Sequence, residues 1–148
     1  MQENKGIEAQ DLSYQSLNNA DLAAAPLEKK ILNFTTFRGA IMIGAKLSES
    51  TGRQPDFGGA DLSDAHFEKS TFRAPNFEGA ILRGAHFNGA SMINARFRGA
   101  DLEGAIFHYA DLKDADFIDA LHVDKADFHG AKTDDTWVSP FRAYRESS

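Results

Sequence analysis

The chain of 148 residues contains no cysteine. Disulfide staples, a thiolate nucleophile and cysteine-ligated zinc are therefore excluded. Proline occurs four times and tryptophan once. No apolar run approaches the roughly 20 residues that a membrane-crossing helix needs. The opening MQENKGIEAQ lacks the basic stretch and apolar run of a secretory signal. The expectation is a cytoplasmic protein without membrane association. Basic charge is also in short supply: 16 Lys and Arg against 22 Asp and Glu leave a net charge of −6. This balance argues against direct binding to nucleic acid or to an anionic membrane, and would suit a basic partner. Phosphate-loop and dinucleotide fingerprints are missing, and periodicity brings no Ser, His and Asp together.

What the chain does have is a period of five. From Ile7 to Phe117 every fifth residue is apolar, in one phase, with Gly52 as the single exception. That is 22 of 23 positions, where a composition of 42% apolar residues would place about ten. A helix repeats at 3.6 residues and a strand at 2, so neither produces this series. A stacked repeat does. Two residues before the large centre sits an alanine at ten of the thirteen centres from Phe57 to Phe117, as at Ala60, Ala80, Ala100 and Ala110; the other three have Pro55, Ser70 and Pro75. Two residues after the centre glycine recurs, as at Gly39, Gly59, Gly79 and Gly99. Small and large side chains two apart both point inward along a short extended segment, and the remaining positions make a turn. Glycine accepts a positive φ in such a turn without steric cost.

A longer period of 20 sets the size of one circuit. Phe37, Phe57, Phe77, Phe97 and Phe117 form one column, and Leu27, Leu47, Phe67, Phe87 and Phe107 another. Four units of five per circuit predict a square-sectioned coil with like residues stacked. At an inter-strand spacing of roughly 4.8 Å, six coils would reach about 29 Å.

The unit [A/S]-[D/N]-[L/F]-x-[G/x] resembles the consensus of the pentapeptide-repeat family. Ala60-Asp61-Leu62-Ser63-Asp64, Ala100-Asp101-Leu102-Glu103-Gly104 and Ala110-Asp111-Leu112-Lys113-Asp114 carry the resemblance most clearly, with Ala115-Asp116-Phe117. It implies an all-β fold, the right-handed quadrilateral β-helix, in about six 20-residue coils over residues 13–131. Residues 1–12 are then an N-terminal tail or cap, since Lys5, Gln10 and Gln15 occupy the small inward position. Some members of the family mimic duplex DNA and protect DNA gyrase from inhibitors, so gyrase enters as a partner through the resemblance alone.

Three irregularities stand out. Residues 48–55 lose their apolar centre at Gly52 while Phe37 and Phe57 keep their spacing. A loosened face and a surface binding loop are the two readings. After Phe117 the spacing slips by one, to Val123 and Phe128, which predicts a bulge around residues 119–122. From Lys132 the repeat stops. Trp137, Phe141 and Tyr144 cluster there, and Ser139-Pro140 reads as the N-cap and first position of a short helix. Residues 132–148 are expected to cap the last coil, or to dimerise as the resemblance implies, so the protein is a monomer or a C-terminal dimer.

Outward residues also fall in columns of the longer period. Asp21, Asp61 and Asp101 alternate with Ile41 and Ile81. Arg53 and Arg73 share a column with Ile93 and Lys113, and Lys46, His66, His86 and Ile106 share a third. His66 and His86, with Glu68 nearby, are too few ligands to indicate a metal site. No cofactor, metal or catalytic residue is expected, because an interior filled by centres and alanines leaves no cleft. The reading is a non-enzymatic protein-interaction or scaffold module with an unidentified protein partner. Asp21, Asp61, Asp101, Asp111, Asp116, Ile41 and Ile81 are its candidate contact residues. The alternative is a DNA mimic acting on gyrase, although isoleucine dilutes its acidic columns.

Overall fold

Each five-residue unit turns the chain through one corner. In the computed structural model, which describes residues 6–134, the amide three places beyond each centre donates to that centre's carbonyl. Ala60 N–H to Phe57 O at 3.1 Å is typical. The residue between them and next to the closing amide has a positive φ, as a type II turn requires. Glycine fills it at Gly59 and Gly79 (φ 65° and 66°), but Ala24, Phe34, Lys69 and Ala74 hold the same conformation at 54–59°. The corner geometry is therefore imposed by the repeat, and glycine only relieves it.

Successive coils pair in parallel. Asp56 N–H donates to Thr35 O on the coil before, and Phe57 N–H to Asn76 O on the coil after, at 2.9 and 2.7 Å. Bridges run from Asp11↔Ile31 to Asp111↔Lys132, in steps of one full period until the last coil. The result is a four-walled β-helix. One wall is continuous enough to form named strands: β1 (Thr51–Arg53), β2 (Thr71–Arg73) and β3 (Ser91–Ile93), parallel and in the order β1-β2-β3. Residues 48–55 are thus neither loosened nor looped. Gly52 stays in register with Phe72. A Cβ there would lie 2.8 Å from the carbonyl carbon of Leu32, so the missing side chain permits close backbone approach.

The centres and alanines fill the interior, where Phe37, Phe57, Phe77 and Phe97 have no exposure. Their rings stack in a file at centroid spacings of 5.0–5.1 Å. On the opposite wall Phe67, Phe87 and Phe107 form a second file at 4.7–4.8 Å. The two files meet edge to face across the interior, the favoured geometry for aromatic quadrupoles. Where a hydroxyl replaces an inward alanine it is satisfied: Thr35 Oγ1 donates to Leu12 O at 2.8 Å, and Ser70 Oγ to Phe67 O at 2.7 Å.

The slip in spacing falls at the end of the stretch that the sequence marks, residues 119–122. Asp101 still bridges Leu121, one full period on, whereas Ile106 bridges Asp127, one place beyond it. The extra residue is His122, which takes a left-handed conformation before a 3-10 turn over Val123–Lys125. That turn returns Val123 to the buried centre. The expected cap with Trp137, Phe141 and Tyr144 lies outside the described residues. Among the described residues no helix is long and apolar enough to cross a membrane.

Candidate binding surfaces

Outward residues flank each centre, one before it and one after. Aspartate before the centre has a local task. Asp61 Oδ1 accepts the amide of Ser63 at 3.1 Å, Asp111 Oδ1 that of Lys113 at 3.2 Å, and Asp116 Oδ1 that of Ile118 at 2.9 Å. Asp21 and Asp101 hold the amides of Ala23 and Glu103 in the same way. Each carboxylate therefore satisfies a turn amide before it meets any partner, which is why aspartate recurs there.

Ion pairs follow a diagonal between neighbouring coils. A cation just after one centre reaches a carboxylate just before the equivalent centre of the next coil. Arg38 pairs with Asp56 at 2.9 Å, Arg83 with Asp101 at 2.7 Å and Arg98 with Asp116 at 2.5 Å. Arg96 and Glu78 use the same diagonal with the charges exchanged, at 3.7 Å. Burial pushes the Asp101 carboxyl up, but hydrogen bonds from His122, Arg83 and the Glu103 amide outweigh it and hold it below the ordinary value. Asp116 is lowered likewise, burial being outweighed by Arg98 and the Ile118 amide.

The predicted contact residues fall on three walls. Asp21, Ile41, Asp61, Ile81 and Asp101 form one bridged column that ends at Leu121. Asp111 follows Ser91 on the β1–β3 wall, and Asp116 follows Arg96 on the wall of the Phe57 file. Within the column, Ile41 and Ile81 are 47% and 38% exposed. Asp21 and Asp61 face no cation among the described residues, whereas Asp101 is held by both Arg83 and His122.

Asp101, Glu103 and His122 bring their ligand atoms within 4.8 Å of one another. Arg83 binds both carboxylates and Lys125 reaches Glu103 at 3.5 Å, so internal cations already neutralise the cluster. It ties the extra residue of the last coil to the coil before it. His66 and His86 stack face to face at 4.9 Å, and His66 Nδ1 is engaged with Glu68 at 3.0 Å.

The β1–β3 wall carries a groove of about 390 Å³, lined by Thr51, Arg53, Thr71, Arg73, Ser91 and Ile93 among others. Arg53 and Arg73 are in register on adjacent strands. The longer period placed them in one column, but only the diagonal pairing rule, unseen in the sequence, distinguishes them from the other arginines.

The family model described as pentapeptide repeats, with eight copies, matches residues 11–51, 56–89 and 80–119. No curated protein matches the chain. Among solved structures, QnrB1, a plasmid-mediated fluoroquinolone resistance protein, is 18% identical over 93% of this chain and 87% of its own, with a TM-score of 0.44. HetL of the cyanobacterium Nostoc, a pentapeptide repeat protein involved in heterocyst differentiation regulation, is 23% identical, with coverage of 86% and 89% and a TM-score of 0.33. Rfr23 of the cyanobacterium Cyanothece is 18% identical, with coverage of 85% and 88% and a TM-score of 0.35. With the five-residue period, the four walls and the family match in agreement, the chain belongs to the pentapeptide-repeat family.

Proposed function

We propose that the protein is a non-enzymatic binding module that docks a partner protein of basic and apolar character on the wall of Asp21, Ile41, Asp61 and Ile81. The observation that carries this reading is the state of that column. Two half-exposed isoleucines flank Asp61, Ile43 lies beside Ile41 at 44% exposure, and Asp21 and Asp61 have no cation among the described residues. Covering such side chains contributes about 1 kcal/mol each, and the free carboxylates select the charge of what covers them. A rigid ladder of backbone hydrogen bonds holds the patch in place, so little ordering cost accompanies binding.

The alternative, a duplex-DNA mimic that engages DNA gyrase, calls for dense acidic columns. Here isoleucine interrupts the column at every second coil, and Arg83 and Arg98 neutralise Asp101 and Asp116. Duplex DNA is far more densely charged, with one negative charge per roughly 1.7 Å of its axis. Micromolar protein is expected to leave gyrase supercoiling unchanged, with or without a quinolone. Protection of gyrase would replace the first reading by the second. For the first reading, immobilised wild-type protein and the double variant Asp21→Lys/Asp61→Lys are compared against an extract of the source organism. A partner held by the former and lost by the latter is expected; identical retention on both removes this wall from consideration.

A further inference from the structure

The six arginines among the described residues divide sharply. Arg38, Arg83, Arg96 and Arg98 each meet a carboxylate. Arg53 and Arg73 meet none among the described residues, although the chain carries a net charge of −6. The reason lies in the diagonal. From Arg53 it leads to Thr71, and from Arg73 to Ser91. Where Arg38, Arg83 and Arg98 find Asp56, Asp101 and Asp116, these two find hydroxyls. Their positions are also directly opposed in the β1–β2 register. Two like charges on adjacent parallel strands destabilise each other unless an anion lies between them.

The surroundings fit such an anion. Both arginines are exposed and line one groove with the hydroxyl-bearing Thr51, Thr71 and Ser91. The carboxylates in the column of those hydroxyls, Asp11 and Asp111, are set apart from the arginine pair by the Ile31 and Ser91 rungs. Guanidinium groups match phosphate oxygens in fork geometry, and hydroxyls can donate to the remaining oxygens. Two positive charges complement the dianion of a phosphate monoester. A volume of about 390 Å³ suits a small molecule, and Ile31 and Ile93 give its organic part an apolar border.

We propose that the groove of β1, β2 and β3 binds the phosphoryl group of a small phosphate monoester between Arg53 and Arg73, with Thr51, Thr71 and Ser91 as hydroxyl donors. This site is on the wall opposite Asp21, Ile41, Asp61 and Ile81, and it stands or falls independently of protein docking there.

The test uses the full chain, inorganic phosphate and phenyl phosphate, followed by amide chemical shifts at constant ionic strength. Phenyl phosphate is expected to give saturable shifts centred on residues 51–53 and 71–73, at lower concentration than inorganic phosphate. Arg53→Gln/Arg73→Gln should weaken this binding at least tenfold, with the amide spectrum of the other walls unchanged. Equal saturation by inorganic phosphate and phenyl phosphate would retain the anion site but overturn the monoester assignment. Shifts spread over all walls, shifts reproduced by chloride, or saturation unaltered in the double variant would overturn the site itself. If the double variant does not fold, the wild-type shift map alone decides by the same criteria.

Discussion

Phe57 and Phe67 meet edge to face across the interior, with centroids 5.6 Å apart and planes at 89°. Each ring also lies flat on another one coil away, Phe57 on Phe77 at 5.1 Å and Phe67 on Phe87 at 4.8 Å. One wall's rings therefore fill the gaps of the other's, and the interior is a lattice of rings and methyl groups rather than two independent stacks.

Removing one ring from the middle of that lattice should be costly. Phe77 touches Phe57 and Phe97 in its own file and Phe67 and Phe87 across the interior. Phe77→Ala is expected to lower unfolding stability by about 3–5 kcal/mol, and Phe77→Leu by less, because leucine leaves a smaller void. Denaturant titration of both variants measures this. Equal losses would mean that stacking geometry, and not volume, sets the cost.

The corner conformation can be probed without disturbing packing. Gly79 has a φ of +66°, and a Cβ built there meets nothing within 4 Å. Gly79→Ala should therefore cost about 1–2 kcal/mol through the backbone alone. Ala74, with a φ of 54°, occupies the equivalent corner. Ala74→Gly should be neutral or stabilising by up to about 1 kcal/mol, since relief of strain outweighs the added chain entropy. The thermal midpoint should fall for Gly79→Ala and hold or rise for Ala74→Gly; a loss in both would refute the account of the corner.

Acid should loosen the diagonal ties. The Asp101 and Asp116 carboxyls are lowered in the folded protein, their hydrogen bonds to His122, Arg83 and Arg98 outweighing burial. A group lowered on folding contributes stability above its unfolded value of about 3.9, and that contribution disappears as the pH falls through the folded value. The urea midpoint should therefore be insensitive to these groups near neutrality and fall below about pH 4. Asp101→Asn should be less stable at pH 7 and show a shallower acid decline. Parallel profiles for variant and wild type would exclude Asp101 as a source of the acid sensitivity.

The parts of this architecture that were legible in the sequence share one property: they recur at fixed phase. The Phe37–Phe117 file, the glycine corners and the alternation of Asp21, Ile41, Asp61 and Ile81 all follow from the short period and the long one. The surface chemistry was less visible. Arg83 and Asp101 stand two places short of a full circuit apart, a spacing without meaning until the outward positions before and after each centre are known to face one another diagonally. Gly52 was misleading for a similar reason. Its lost apolar centre suggested a weakened segment, yet the backbone closes on Leu32 and the strand continues. His122 belongs to the same class: the slip in spacing was evident, but the ladder at Leu121 decides where the surplus residue is absorbed.

That surplus residue also shows how such a molecule changes length. A whole circuit can be added or removed with every file kept in line, whereas a single added residue would turn each later side chain away from its column. At His122 the mismatch is taken up inside one corner, and Val123, Ala126 and Phe128 resume their places. Growth of this rod is thus quantised: it lengthens freely by complete turns, and by single residues only where a spare bend can be tucked out of the way.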